Sequence, residues 1–288
     1  MATYTLDKSY DVDEVYSIDD QAEERLRSLS DKSIVKYRTK TIKSGDVIEC
    51  EIYPIWKDGN SLSRAPKSNK SRRSQKNLND KNSLKYAIRL VNANFTDKDI
   101  WGTFTYDTKK LPKTIEEAEK AFCNFIRRLK YYAEKHGFPP LKYVWWVEFE
   151  QDEEKGKHRV HHHIVMNFPD RDVAEKLWRN GARTQTRRLQ ADESGYEGMV
   201  RYCMKDPRGK KRFKTSKNLI KPTVTISDTK FSRKKVERIV RGKDNAVDVF
   251  EKLYTGYDMI HYEYKMSEYV TGTYLYVKMA RLRGPRKE

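Results

Sequence analysis

The chain has 288 residues, with 60 Lys+Arg against 42 Asp+Glu and a net charge of +18. Only 37% of residues are hydrophobic but 12% are aromatic, which argues for a packed core and against disorder. The length fits one large domain with appendages or two smaller ones, and so large a positive excess points to a polyanionic partner, nucleic acid first.

The three cysteines, Cys50, Cys123 and Cys203, include no close pair. A disulfide framework is therefore not expected, a reducing compartment is, and the spacing matches no zinc site. The start "MATYTLDKSYDVDEV" lacks a basic residue run followed by an apolar one, so no signal peptide is read. No apolar run approaches the roughly 18 residues that span a bilayer. A cytoplasmic protein with no membrane partner is expected.

Residues 1–57 read as a β-rich extension. In "SGDVIECEIYPIW", Val47, Ile48, Ile52 and Ile55 follow a turn at Ser44-Gly45-Asp46. Residues 58–83 are polar and basic and read as a flexible linker. Its Lys67, Lys70, Arg72, Arg73 and Lys76 are expected to hold DNA without reading its sequence.

A core domain is expected over 84–225. "IWGTFTY", from Ile100 to Tyr106, reads as a buried strand. Thr114 and Glu117 form a capping box for a helix with Ile115, Ala118, Phe122, Phe125, Ile126, Leu129 and Tyr132 on one apolar stripe. Gly137 and Pro139-Pro140 stop it. "KYVWWVEFE", Lys142 to Glu150, reads as a strand, followed by the charged turn "QDEEKGK" and a strand of histidines. Asp170 or Asp172 then starts a short helix that Gly181 ends, and "ARTQTRRLQ" is a candidate strand. Ser194 and Glu197 predict a second capping box for a helix that stops near Pro207. This order predicts an α+β domain, a central antiparallel sheet with flanking helices. Residues 226–288 read as a C-terminal extension, aromatic and structured, with no role assigned.

Four of the six histidines fall in "KHRVHHHIVMNF", Lys157 to Phe168. Side chains alternate along a strand, so His161 and His163 share one face while His162 joins Val160 and Ile164 on the other. A hairpin over the charged turn sets Glu148 opposite His161, with Glu150 as the same-face alternative. Two imidazoles and a carboxylate facing one point make a three-ligand set for a divalent metal ion with positions open to substrate. Ligand softness alone favours Mn²⁺ or Zn²⁺ over Mg²⁺. A further basic stretch, Arg208 to Lys221, has no acid. Within it Lys210, Lys211, Arg212, Lys214 and Lys217 are candidate DNA contacts, and Phe213 is placed to stack on a base. The Arg187-Arg188 pair is of the same kind.

The segment "HHHIVM" after "YVWWVEFE" resembles the His-hydrophobic-His motif of the HUH endonucleases, with His162 in the middle slot. That slot is usually apolar in the family, which leaves a shifted assignment through His162 open. "NANFTDKDIWGTFTYD", "FCNFIRRLKYY" and "YEGMVRYCMKD…RFKTSKNLIKP" are similar, in order and spacing, to blocks of rolling-circle replication initiators, particularly the filamentous-phage-like branch. The resemblance covers roughly residues 77 to 225. It implies Mg²⁺ or Mn²⁺ as cofactor and a nucleophilic tyrosine in a Tyr-x-x-Lys setting, which Tyr202 and Lys205 match. The spacing of three predicts one helical face for both. Tyr196 is the alternative nucleophile. Lys205 would lower the tyrosine pKa or offset phosphorane charge.

The expected activity is nicking and rejoining of single-stranded origin DNA through a 5′-phosphotyrosine. The alternatives are a relaxase or single-strand transposase of the same superfamily, and a non-catalytic single-stranded-DNA-binding protein. Relaxases usually carry a third histidine, for which only His261 remains downstream. No Gly-rich Lys-Ser/Thr phosphate loop is present, so a separate host helicase is the expected partner for unwinding.

Overall fold

A computed structural model describes residues 34–56, 73–152, 157–181, 183–205, 211–266 and 272–281. In chain order it runs β1 (Ile34–Ser44), β2 (Val47–Trp56), α1 (Arg73–Asn94), β3 (Ile100–Thr105), α2 (Ile115–Lys135), β4 (Tyr143–Asp152) and β5 (Lys157–Met166). There follow α3 (Arg171–Leu177), β6 (Thr184–Arg188), α4 (Glu197–Cys203), β7 (Lys214–Thr215), β8 (Thr223–Ser227), α5 (Arg233–Val240), α6 (Ala246–Leu253), β9 (Tyr257–Met266) and β10 (Thr273–Arg281). The architecture is α+β, built on two antiparallel five-stranded sheets.

The chain divides into two compact units. One combines residues 1–82 with 222–288, and its sheet has the order β8-β1-β2-β10-β9. The segments expected as separate N- and C-terminal extensions therefore contribute to a single sheet, with Thr39 opposite Ser227 and Ile52 opposite Leu275. Helices α5 and α6 pack Val236, Ile239 and Phe250 against Tyr37, Cys50, Ile52, Leu275 and Val277 of that sheet. No described helix is long and apolar enough to cross a membrane.

The second unit, residues 83–221, has the sheet order β6-β3-β5-β4-β7. Strand alternation gives it two faces, and each carries helices. On one, α2 buries Ala118, Phe122, Phe125, Ile126, Leu129 and Ala133. These pack with α3 against Phe104, Trp145, Val147, Val160 and Ile164. Burying each Phe or Leu of that stripe contributes about 1.5–3 kcal/mol. Thr114 caps α2 by accepting from Glu117 N, while Glu117 Oε2 accepts from Lys113 N, one residue earlier than in the ideal box. The other face carries α1 and α4 through Ala87, Ile88, Val91, Tyr196, Val200 and Cys203, packed on Val144, Trp146 and Val165.

Three local expectations need correction. The last part of the segment read as linker is the start of α1 (Arg73–Asn94); residues 57–72, with Lys67, Lys70 and Arg72, lie outside the described residues. Leu84, Ala87, Ile88 and Val91 anchor this helix, and its polar N-terminal half propagates from them. Helix α3 ends at Leu177, before Gly181. Gly181 instead lies against β3, where an added Cβ would meet Thr105 O at 2.4 Å. The Ser194–Glu197 capping box does not form. Gly195 turns the chain at φ +77 and moves the N-cap to Tyr196, which has no side-chain cap bond. Glu197 becomes the first helical residue and binds Arg201 Nε at 2.7 Å.

Candidate metal and nucleophile site

β5 lies between β3 and β4 in the sheet, so its side chains are flanked on both sides. The register places Glu148 opposite His161, Trp146 opposite His163 and Glu150 opposite Arg159. His161 and His163 are 3% and 1% exposed, on the face that carries α1 and α4. Glu148 Oε2 lies 2.8 Å from His161 Nε2 and 3.5 Å from His163 Nε2. One ligand atom from each residue falls within 4.8 Å of the others. Glu150 is exposed and outside this group.

Burial pushes the His161 imidazole below its ordinary range, partly opposed by Glu148. Burial, and then the neighbouring His161, push His163 down to about 4 against the pull of Glu148. Both rings are thus neutral near pH 7 and keep a lone pair for a cation. Thr103, opposite His163 on β3, hydrogen-bonds His163 Nδ1 at 3.1 Å. That contact holds the ring with Nε2 toward Glu148, and this buried Nε2 has no hydrogen-bond partner among the described residues. A buried orphan nitrogen aimed at a carboxylate, with its other nitrogen oriented by a hydroxyl, fits a bound divalent ion.

His162 faces the opposite way. It is fully buried, stacks on Phe122 with centroids 4.3 Å apart, and Tyr106 Oη hydrogen-bonds its Nε2 at 2.9 Å. Burial, reinforced by His161, His163 and Lys214, holds it well below the usual imidazole range. The shifted assignment through His162 is therefore set aside: this histidine is a neutral member of the α2 core.

Helix α4 brings Tyr202 to the site. Val200, Cys203 and Met204 dock into the cluster beneath, while Tyr202 stays 58% exposed. Its ring meets His163 and also Trp101, at centroid distances of 5.5 Å and 6.2 Å. Tyr196 is 4% exposed, with its hydroxyl donating to Asp97 at 2.9 Å and its backbone N to Asn92 Oδ1 at 2.9 Å. Those bonds make Tyr196 the anchor of the helix start. The shared helical face expected for Tyr202 and Lys205 is not present, because α4 ends at Cys203 and Lys205 lies past the C-cap Met204. Lys205 is exposed, and its N donates to Tyr202 O at 3.3 Å.

The candidate DNA contacts separate into groups. Arg187 lies over the Trp101 ring at 3.8 Å, on the Tyr202 side of the sheet. Arg188 spends its guanidinium on Lys98 O and Pro169 O. Lys214 pairs with Glu119 at 2.7 Å on the α2 face. Phe213 is half-buried, 6.5 Å from Tyr86. Arg212 is half-buried, Lys211 and Lys217 are exposed, and Lys210 lies outside the described residues. Sequence reasoning missed Trp101 and Thr103. Their alternation with the site face was visible, but the pairing of β3 with β5 joins residues about 60 positions apart.

Residues 99–207 match a family model of replication-associated proteins, the ORF2 type. The match runs from just before β3 to just beyond α4, so Glu148, His161, His163, Tyr202 and Lys205 all fall inside it. No curated protein and no solved structure matches the chain.

Proposed function

We propose that the chain is a replication initiator that nicks and rejoins one DNA strand with Tyr202 as nucleophile and a divalent ion, Mg²⁺ or Mn²⁺, as cofactor. The observation that carries this reading is the convergence of His161, His163 and Glu148 beside the exposed Tyr202 ring, inside the segment similar to replication-associated proteins. His161, His163 and Glu148 would hold the ion, with Thr103 orienting His163. When bound, such an ion supplies Lewis-acid polarisation of a non-bridging phosphate oxygen.

The remaining chemistry belongs to the chain. Tyr202 Oη forms a bond to phosphorus as the bond to the 3′ oxygen breaks. The tyrosine gives up its proton, the 3′ oxygen gains one, and the 5′ phosphate stays on the enzyme as a phosphodiester. Attack by a 3′-hydroxyl reverses the step and rejoins the strand. Exposed Lys205 sits where it can offset charge on the phosphate. Arg187, Lys211 and Lys217 are proposed to hold the flanking strand, and unwinding is left to a separate helicase.

A nicking assay on a single-stranded oligonucleotide in Mn²⁺ tests the site. His161→Ala and His163→Ala should each lose cleavage while keeping most DNA affinity, because affinity comes mainly from Lys and Arg. Full cleavage by the double variant would rule out this site.

A further inference from the structure

The face of the sheet away from the histidine pair carries a feature that the nicking reading does not use. Helix α2 and the residues after α3 enclose a cavity of about 460 Å³. Arg127, Arg128, Tyr131 and Lys135 line it from successive turns of α2, and Arg179 lines it from beyond α3. Spacings of three and four place the α2 residues on one flank of the helix. That flank spans about 12 Å along the axis, about three nucleotides at 3.4 Å per phosphate.

No acid lines the cavity. Arg128 Nε donates to Leu177 O at 2.9 Å, which fixes its guanidinium at the wall, while its Nη2 is buried without a partner among the described residues. Burial and the facing Arg179 both push the Arg128 pKa down, so like charges have been gathered here with nothing to offset them. Such an arrangement favours an anionic ligand. Tyr131 adds an aromatic ring that is 68% exposed, and His136 stacks on Tyr132 at 3.8 Å, closing the far end. Cations spread along a helix beside an exposed aromatic face match a single nucleic-acid strand, which offers phosphates in a row and bases that stack.

We propose that this cavity is a second nucleic-acid site, in which Arg127, Lys135 and Arg179 hold phosphodiesters of a single strand and Tyr131 stacks on a base. The choice of nucleic acid rests in part on the nicking reading, while the anion chemistry does not. The site would hold a stretch of strand away from the scissile phosphate, since α2 and the histidine pair lie on opposite faces of the sheet.

The test is fluorescence anisotropy with a labelled oligothymidylate in chelator, where no metal-dependent cleavage occurs. The triple variant Arg127→Gln, Lys135→Gln, Arg179→Gln should weaken binding about tenfold and shallow the salt slope by about two, at roughly 0.7 per phosphate contact. Tyr131→Ala should weaken binding with the slope unchanged. Arg128 is left in place because it holds Leu177 O. Wild-type affinity and slope in both variants would overturn the proposal, including the case in which an acidic protein segment is the true occupant. Inorganic phosphate at matched ionic strength is the second arm. If it displaces the oligonucleotide from the wild type and not from the triple variant, the cavity takes free phosphate and the strand assignment falls. Loss of nicking with this binding intact would sink the nuclease reading alone.

Discussion

The Tyr202 ring meets the His163 imidazole edge-on, with centroids 5.5 Å apart and planes at 71°. Two separate pieces of chain make this contact. His163 is fixed in the middle of a sheet, and Tyr202 rides on α4, a helix of 7 residues. Tyr196 and Asn92 hold the start of that helix, and Val200 and Cys203 hold its buried side. Trp101 extends the array, with Tyr202 against one part of its ring and Arg187 over its face. The most exposed member of the array is thus the residue that carries the oxygen needed for attack.

Thr103 should matter to the metal without touching it. Thr103→Val keeps the shape of the strand and removes the hydroxyl at His163 Nδ1. Mn²⁺ affinity, measured by calorimetry, should fall about 10–100-fold, the usual cost of losing such an orienting bond. Unchanged affinity would mean that packing alone orients His163.

His162 should be dispensable for the chemistry. His162→Leu restores an apolar residue at a position packed on Phe122 and Trp145. Metal affinity should stay within about twofold and adduct formation should persist. Stability should change by about 1–3 kcal/mol at most, since Tyr106 Oη loses a partner while a buried imidazole is removed. Loss of metal binding without loss of fold would return His162 to the site.

The sheet of the other unit offers a pH test. Asp228 accepts from Arg38 at 2.7 and 3.0 Å and pairs with Lys36 at 2.8 Å. Arg38 first and Lys36 second hold its carboxyl well below the usual carboxylate range. A carboxyl with a depressed folded pKa contributes stability above its unfolded value of about 3.9 and loses it as pH falls toward the folded value. Asp228→Asn should therefore lower the denaturation midpoint near pH 7, and the gap to wild type should close below about pH 4. A gap that is equal at both ends would show that the pair adds nothing beyond shape.

Legibility from sequence followed the distance between contacting residues. Helix α2 was readable because its cap, stripe and stop lie within one stretch. The β4–β5 hairpin was readable because the charged turn joins neighbouring strands, and alternation then fixes Glu148 against His161. The partnership of β1 with β8, or of β2 with β10, joins residues about 190 and 220 positions apart, and local pattern carries no sign of it. Polar residues hid the first half of α1, since Asn and Ser favour caps and turns. The second capping box misled because Ser194 is drawn into the Asp192–Gly195 turn, where its N donates to Asp192 Oδ1 at 2.7 Å. The cationic cavity on α2 was invisible because Arg179 reaches it from another helix end.

Attack on the phosphate by Tyr202 leaves a covalent record that can be mapped. Wild type incubated with single-stranded DNA and Mn²⁺ should give a protein–DNA adduct that survives denaturing electrophoresis and disappears in chelator. Peptide mapping of that adduct should place the phosphotyrosine at Tyr202. Tyr202→Phe should fold, bind metal and DNA, and give no adduct. Tyr196→Phe should lose about 1 kcal/mol of stability through its Asp97 bond and still give the adduct. A phosphotyrosine at Tyr196, or an adduct that persists in Tyr202→Phe, would contradict Tyr202 as the nucleophile.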